Sequence, residues 1–429
     1  MIKNLINELK RRLMFWAQNK QCSLIEILCL ILIRNSQFFD EKWYLQQYSD
    51  IAQLEIDPAF HYLRYGGFEG RNPGPSFSSN LYLQMHPELL EKRVNPLIHY
   101  LRQYPTQSKR RPVLFLHIGL HKTGTSAIQK FLRANENLLL KKQVYYPLDD
   151  LGGDAHHGFA SKFIQLAPLE SISASQKWIL DCQRYCQAHD LFLLISSEVF
   201  SEPIHYKELA QILRSFDLNI IIYIRRQDLL IESVINQLLK GSQTIYPDED
   251  WENLRKAYNT DFAKRINEWR EFFPHSRIIV RRYGDYPKHV SLEEDFLDAI
   301  GIQLDIQRCV KPGTVNESLG LYEFIVLRNL VRQGFIDSRL LFQRAQTALT
   351  ILMKEANILD VRMVGNYFDN QTRQYIMDIH ARSNEQIRAE FFPHDQFLFS
   401  AVENTPTFVI DPDIISRLEI EVVKKLSRE

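Results

Sequence analysis

Two patterns of apolar residues divide the chain. From Pro112 onward, short uninterrupted apolar runs alternate with longer stretches whose apolar positions recur every three or four residues. Runs of the first kind read as strands buried on both faces, and stretches of the second kind as helices laid against them. The strand candidates are Val113–Ile118, Leu191–Ser196, Asn219–Ile224 and Arg277–Arg281, with Val144–Pro147 as a further short one. Helical spacing follows the first at Ile128, Phe131, Leu132 and Leu139. It follows the third at Leu230, Val234, Ile235 and Leu238. This alternation predicts an α/β domain over 113–429, three layers around a mainly parallel sheet, with a helical C-terminal part around Asp369–Glu390.

Residues 38–104 follow a different rule, an internal repeat with a period of 38 residues. Phe39-Asp40-Glu41-Lys42-Trp43-Tyr44-Leu45 aligns with Phe77-Ser78-Ser79-Asn80-Leu81-Tyr82-Leu83, and His61-Tyr62-Leu63-Arg64 with His99-Tyr100-Leu101-Arg102. Each copy predicts two short helices, the second entered through Asp57-Pro58 or Asn95-Pro96. The paired His-Tyr-Leu segments are expected to join the repeats, with His61 and His99 buried and hydrogen-bonded. This small all-α region precedes a linker, 105–112, containing Lys109-Arg110-Arg111.

In residues 1–37 the apolar run Leu24–Ile33 is interrupted by Glu26 and is shorter than the roughly 20 residues a bilayer span requires. It lacks a small-residue cleavage site, which argues against a signal peptide. A helix docked on the protein is predicted, while Lys10, Arg11, Arg12 and Lys20 leave a peripheral membrane contact open.

Charge narrows the chemistry. Lys+Arg 52 equals Asp+Glu 52, so no overall field draws the chain to nucleic acid or an anionic membrane, and anion binding must be local. The five cysteines (Cys22, Cys29, Cys182, Cys186, Cys309) form neither a disulfide framework nor a zinc pattern and are expected to be buried thiols. There is no His-Glu-x-x-His and no aspartate cluster, and no metal is predicted.

The segment Gly119-Leu120-His121-Lys122-Thr123-Gly124-Thr125-Ser126 lies between the first strand candidate and its helix. Backbone amides and the positive end of the helix dipole converge there on an anion, and Lys122 adds a full charge. It is not a Walker A loop, which places its lysine directly after the second glycine. Arg225-Arg226 leave the third major strand, and a guanidinium matches a phosphate with two parallel hydrogen bonds. Lys122, Glu198 and Arg225 each lie just past the carboxyl end of a strand, the edge where open parallel sheets bind ligands.

These motifs resemble those of sulfotransferases that use 3′-phosphoadenosine 5′-phosphosulfate (PAPS), of the bacterial carbohydrate-sulfotransferase kind. The resemblance runs from Val113 to about Ser400 and includes Ser196-Ser197-Glu198 and Asn316-Glu317-Ser318. It implies a P-loop-like fold. Gly119, Lys122, Thr123, Gly124, Thr125 and Ser126 would hold the 5′-phosphosulfate, and Arg225 with Ser233 the 3′-phosphate. It also implies a carbohydrate hydroxyl as acceptor, from a surface polysaccharide or its precursor, with PAP released. The general base falls to His156, His157 or Glu198. The repeats resemble modules attached to enzymes of surface-polysaccharide pathways, which implies docking of a protein partner or a glycan. A cytoplasmic enzyme, peripheral at the inner membrane if the basic N-terminal segment engages it, follows from where bacteria make the donor. Two other readings stand beside this one: an inactive PAPS- or PAP-binding scaffold, and a P-loop kinase, which would need a differently placed lysine and a Mg²⁺ ligand.

Overall fold

The computed structural model describes residues 23–36, 38–53, 56–103, 111–149, 151–168, 170, 172–241, 251–287, 289–311, 313, 318–402 and 410–427. Cys22, the basic residues of 1–20, most of the 105–112 linker, and Asn316-Glu317 lie outside the described residues.

Helix α1, Leu24–Asn35, begins with a reciprocal cap: the Ser23 side chain accepts from the Glu26 amide while Glu26 accepts from the Ser23 amide. Caps of this kind are worth about 1 kcal/mol. Cys29, Leu30 and Ile33 pack α1 into the core of the two repeats, beside Tyr44, Tyr62, Phe77 and Leu97. The repeats hold three helical pieces each rather than two. The first copy has Glu41–Gln47, Ser49–Gln53 and Pro58–His61, the last running on as a π-helical turn over Tyr62–Gly66, and the second has Ser79–Met85, Glu88–Glu91 and Pro96–Gln103. The extra middle turns are only four or five residues long, too short to leave a periodic trace.

Both histidines are hydrogen-bonded as expected, His61 buried and His99 half-buried. His61 Nδ1 lies 2.9 Å from the Tyr44 hydroxyl, and His99 Nδ1 lies 3.0 Å from that of Tyr82. Each histidine ties together the helices of its own repeat. The cross-repeat contacts expected of the His-Tyr-Leu segments come from Tyr62, whose hydroxyl meets Ser79 Oγ at 2.8 Å and whose carbonyl accepts from Asn95 at 3.0 Å.

Five parallel strands form one sheet: β1 Val113–His117, β2 Val144–Tyr145, β3 Phe192–Ser196, β4 Asp217–Ile224 and β5 Arg277–Arg282, in the order β2-β3-β1-β4-β5. Alternate residues face opposite layers. Leu114, Leu116, Leu193, Ile195, Ile220 and Ile222 enter one core, and Phe115, Leu194, Ile221 and Tyr223 the other. Helix α2, Thr125–Ala134, covers the second face with Ile128, Phe131 and Leu132. The first face is covered by α3, His157–Ser161, and α4, Ile172–His189, among others. Helix α5, Gln227–Gly241, follows β4 and joins the C-terminal helices, of which α6, Asn370–Ile379, packs against it. Cys29, Cys182, Cys186 and Cys309 are buried free thiols. Among the described residues no helix is long and apolar enough to cross a membrane.

The repeats dock on the end of α4. The Ser78 amide donates to His189 Nε2 at 2.9 Å, Tyr100 donates to the Gln187 carbonyl at 2.9 Å, and Ala188 is part of the repeat core.

Candidate functional site

The chain leaves β1 toward β2 and leaves β4 toward β5, so connections from these two neighbours diverge at the carboxyl edge of the sheet. Such a divergence opens a crevice. The loop after β1 lies at its mouth. Gly119 and Gly124 take φ of +48° and +81°, which side-chain-bearing residues rarely adopt. A Cβ at Gly124 would also meet the Leu292 and Tyr283 side chains at 2.5 and 2.6 Å. Lys122 is left-handed too, with φ +66°. A non-glycine residue held there is an outlier of the kind found at ligand clamps.

The loop is braced from within. The Thr123 and Thr125 hydroxyls donate to the Leu120 carbonyl at 2.7 and 3.3 Å, so these two side chains build the turn and leave their backbone amides for a ligand. Gly124 caps α2 without a side chain, so no hydroxyl or carboxylate occupies the first-turn amides of Thr125 and Ser126. The Ser126 side chain is exposed.

Arg225, at the exit of β4, donates from Nη1 to the Lys122 carbonyl at 2.9 Å and lies over the Tyr283 ring at 5.2 Å. Two residues 103 positions apart thus meet. Burial pulls the Lys122 ammonium below its ordinary value, and the charges of Arg225 and Lys240 pull it further. A desolvated lysine beside further cations is a place where an anion relieves repulsion. Ser233 is buried on α5.

The structure separates the two histidines that sequence left together. His156 is fully buried; its Nε2 donates to the Pro147 carbonyl at 2.9 Å, and its Nδ1 accepts from the Ser196 amide at 3.2 Å. Burial pushes it down to about 4. With both nitrogens committed to backbone, it has no lone pair for a hydroxyl proton, and we assign it to holding the loop before α3 against β3. His157 begins α3, half-buried, with Nδ1 2.8 Å from Ser197 Oγ and Nε2 3.7 Å from Glu198 Oε1. Glu198 follows β3 and also accepts from Gln129 Nε2 at 2.9 Å. Lys122, Arg225, His157 and Glu198 therefore share one rim.

Sequence reading missed the supports of this rim. Gln129, buried on α2, bridges Glu198 and Ser196 Oγ, and the buried His117 meets the same Ser196 hydroxyl at 2.8 Å. A buried polar side chain inside an apolar helical stripe was the available signal for Gln129. Behind Arg225 lies an ionic cluster. Arg226 grips Asp228 with two hydrogen bonds, at 2.8 and 2.9 Å, and Arg373 of α6 reaches Asp228 at 2.6 Å and also pairs with Glu232. The Glu232 carboxylate further accepts from the amides of Gly365 and Phe368. Among the described residues, no group of three or more histidine, cysteine or acidic side chains is gathered to hold a metal ion.

No family model matches this chain, and no solved structure matches it. A protein of Archaeoglobus fulgidus described as uncharacterized is 28% identical to it over 238 residues, a match covering 53% of this chain and 61% of the relative's length.

Proposed function

We propose that this chain binds PAPS on a P-loop-like sheet edge and transfers its sulfuryl group to a carbohydrate hydroxyl. The observation that carries the reading is the Arg225–Lys122 contact, which brings the β1 loop and the β4 exit together over the crevice. The β2-β3-β1-β4-β5 order, with the glycine-containing loop after the central strand, agrees with a P-loop-like arrangement. The cradle also fits the donor. Its glycines let the left-handed loop pack tightly against Thr125, Leu292 and Tyr283, and Lys122, Arg225 and Lys240 supply charge without a metal ligand.

Bound PAPS would supply an activated sulfuryl group. Lys122 and the amides of Thr123, Gly124, Thr125 and Ser126 would neutralise charge growing on the leaving phosphate oxygen. Arg225 and Ser233 would hold the 3′-phosphate. His157 Nε2 would accept the acceptor hydroxyl's proton. Its Nδ1–H donates to Ser197 Oγ in that tautomer, and Glu198 stabilises the imidazolium that forms. An incoming glycan hydroxyl is thus deprotonated on the rim formed by β1 and β3.

Calorimetric titration with PAP in EDTA tests the donor site, and transfer from radiolabelled PAPS to a panel of glycans tests the activity. Metal-free PAP binding by wild type is expected, and its absence in the folded protein overturns the reading. Binding without transfer to any acceptor would make the chain a scaffold. Lys122→Ala should lower turnover by about 10² to 10³, the effect of losing one preorganised charge donor. Turnover within about threefold of wild type would remove Lys122 from the chemistry. Arg225→Ala should weaken PAP by about 10- to 100-fold, as expected for a charged hydrogen bond, and should weaken an analogue lacking the 3′-phosphate far less. Equal losses for both ligands would place the arginine elsewhere on the donor.

A further inference from the structure

Helix α1 is apolar on both sides. Cys29, Leu30 and Ile33 face the repeat core, and ion pairs of Glu26 with Arg64 (2.8 Å) and of Arg34 with Asp57 fix its rotation. The opposite side carries Ile25, Leu28 and Leu32, exposed to 66%, 54% and 42%, at positions that fall on one stripe. Ile27 and Ile31 flank them half-exposed, and Asn35 is the polar residue on that half. A helix on an ordinary protein surface turns charged residues outward. A contiguous apolar face held open by buried contacts on its other side marks an interaction surface.

We propose that this face docks on an anionic lipid bilayer. Charge selects this occupant. The 22 residues directly before Ser23 include Lys3, Lys10, Arg11, Arg12 and Lys20 against Glu8 alone, in a chain whose net charge is zero. Stable peripheral binding takes two signals, an apolar insertion and a basic cluster, and both occur within the first 35 residues. A second copy of the chain on the same face would instead bring two basic segments together, which like-charge repulsion opposes. At 12 residues, α1 is about 18 Å long against a hydrocarbon core of about 30 Å, so it lies in the interface rather than spanning it. The inference does not depend on the proposed transferase chemistry.

The test is flotation of the full-length protein with vesicles of phosphatidylcholine alone or mixed with phosphatidylglycerol. Binding is expected to be about tenfold or more stronger to the anionic vesicles and to weaken as salt rises. Ile25→Ser/Leu28→Ser/Leu32→Ser should lose that binding, with an unchanged melting temperature because all three side chains face solvent. Lys10→Glu/Arg11→Glu/Arg12→Glu should lose its salt-dependent part. Absence of wild-type flotation overturns the proposal. So does binding that survives the triple serine variant, which would assign it to the basic segment alone. A wild-type dimer that the serine variant converts to monomer, with no vesicle binding, would assign the face to a second copy and overturn it as well.

Discussion

His157→Ala is expected to lower the proposed sulfuryl transfer by about 10² to 10⁴, the range for loss of a general base, while PAP binding should stay near that of wild type. The split follows from position. His157 stands on the β3 side of the rim with Ser197 and Glu198, whereas the anion cradle is built from the β1 loop and Arg225. His156→Ala, one residue away, should behave differently. It removes the groups that hold Pro147 and the Ser196 amide, so the readout is lost stability, and any rate loss should track the folded fraction. Single-turnover rates with saturating PAPS and a fixed glycan, together with PAP titration, separate the two. A His157 variant that turns over at the wild-type rate passes the base role to Glu198.

The second large effect is on stability. Arg373→Met should cost about 3 to 5 kcal/mol in urea unfolding, the penalty for leaving one side of a buried ion pair uncompensated. Arg373, Asp228 and Glu232 are all buried, and the arginine bridges both carboxylates. Asp228 would retain Arg226, and Glu232 would retain two backbone amides but, among the described residues, no ion-pair partner. Burial already pushes the Glu232 carboxyl up to about 7, against the lowering pull of Arg373, and removing the arginine raises it further. The sign is fixed by linkage. A carboxyl whose folded value lies above its unfolded one contributes stability at low pH that is lost as pH rises through the folded value. Arg373→Met should therefore be less destabilised at pH 5 than at pH 8, and Arg373→Met/Glu232→Gln should remove that dependence. A loss independent of pH would mean that the arginine acts through packing alone.

The three central strands were legible because a parallel strand buried on both faces keeps an unbroken apolar run, as at Leu114–Leu116, Leu193–Ile195 and Ile220–Ile224, whereas the edge strand β5 shows only Ile278-Ile279-Val280 between arginines. The loop between β1 and α2 was legible for a related reason: strand, loop and helix are contiguous, so their pattern is local. The rest of the site depends on pairs far apart in sequence. Nothing near Asp228 announces Arg373, 145 residues away, and nothing near Glu198 announces Gln129. The choice between His156 and His157 stayed open in the sequence for the opposite reason. Two neighbours at a helix start point in different directions, and only the packing of Pro147 and Ser196 around His156 shows which one is sealed. The middle turns of the repeats were hidden by their brevity.

The seat of the repeats on α4 has a mechanical consequence. Helix α4 ends at His189, where Ser78 and Tyr100 grip it, and the chain enters β3 three residues later. Beyond the far end of β3 stand Ser197 and Glu198. The repeats are thus bolted to one end of a stiff rod whose other end carries half of the candidate chemistry. A ligand docked on the repeats would stand at a fixed reach and angle from the rim, set by the length of one short strand rather than by the slack of a tether.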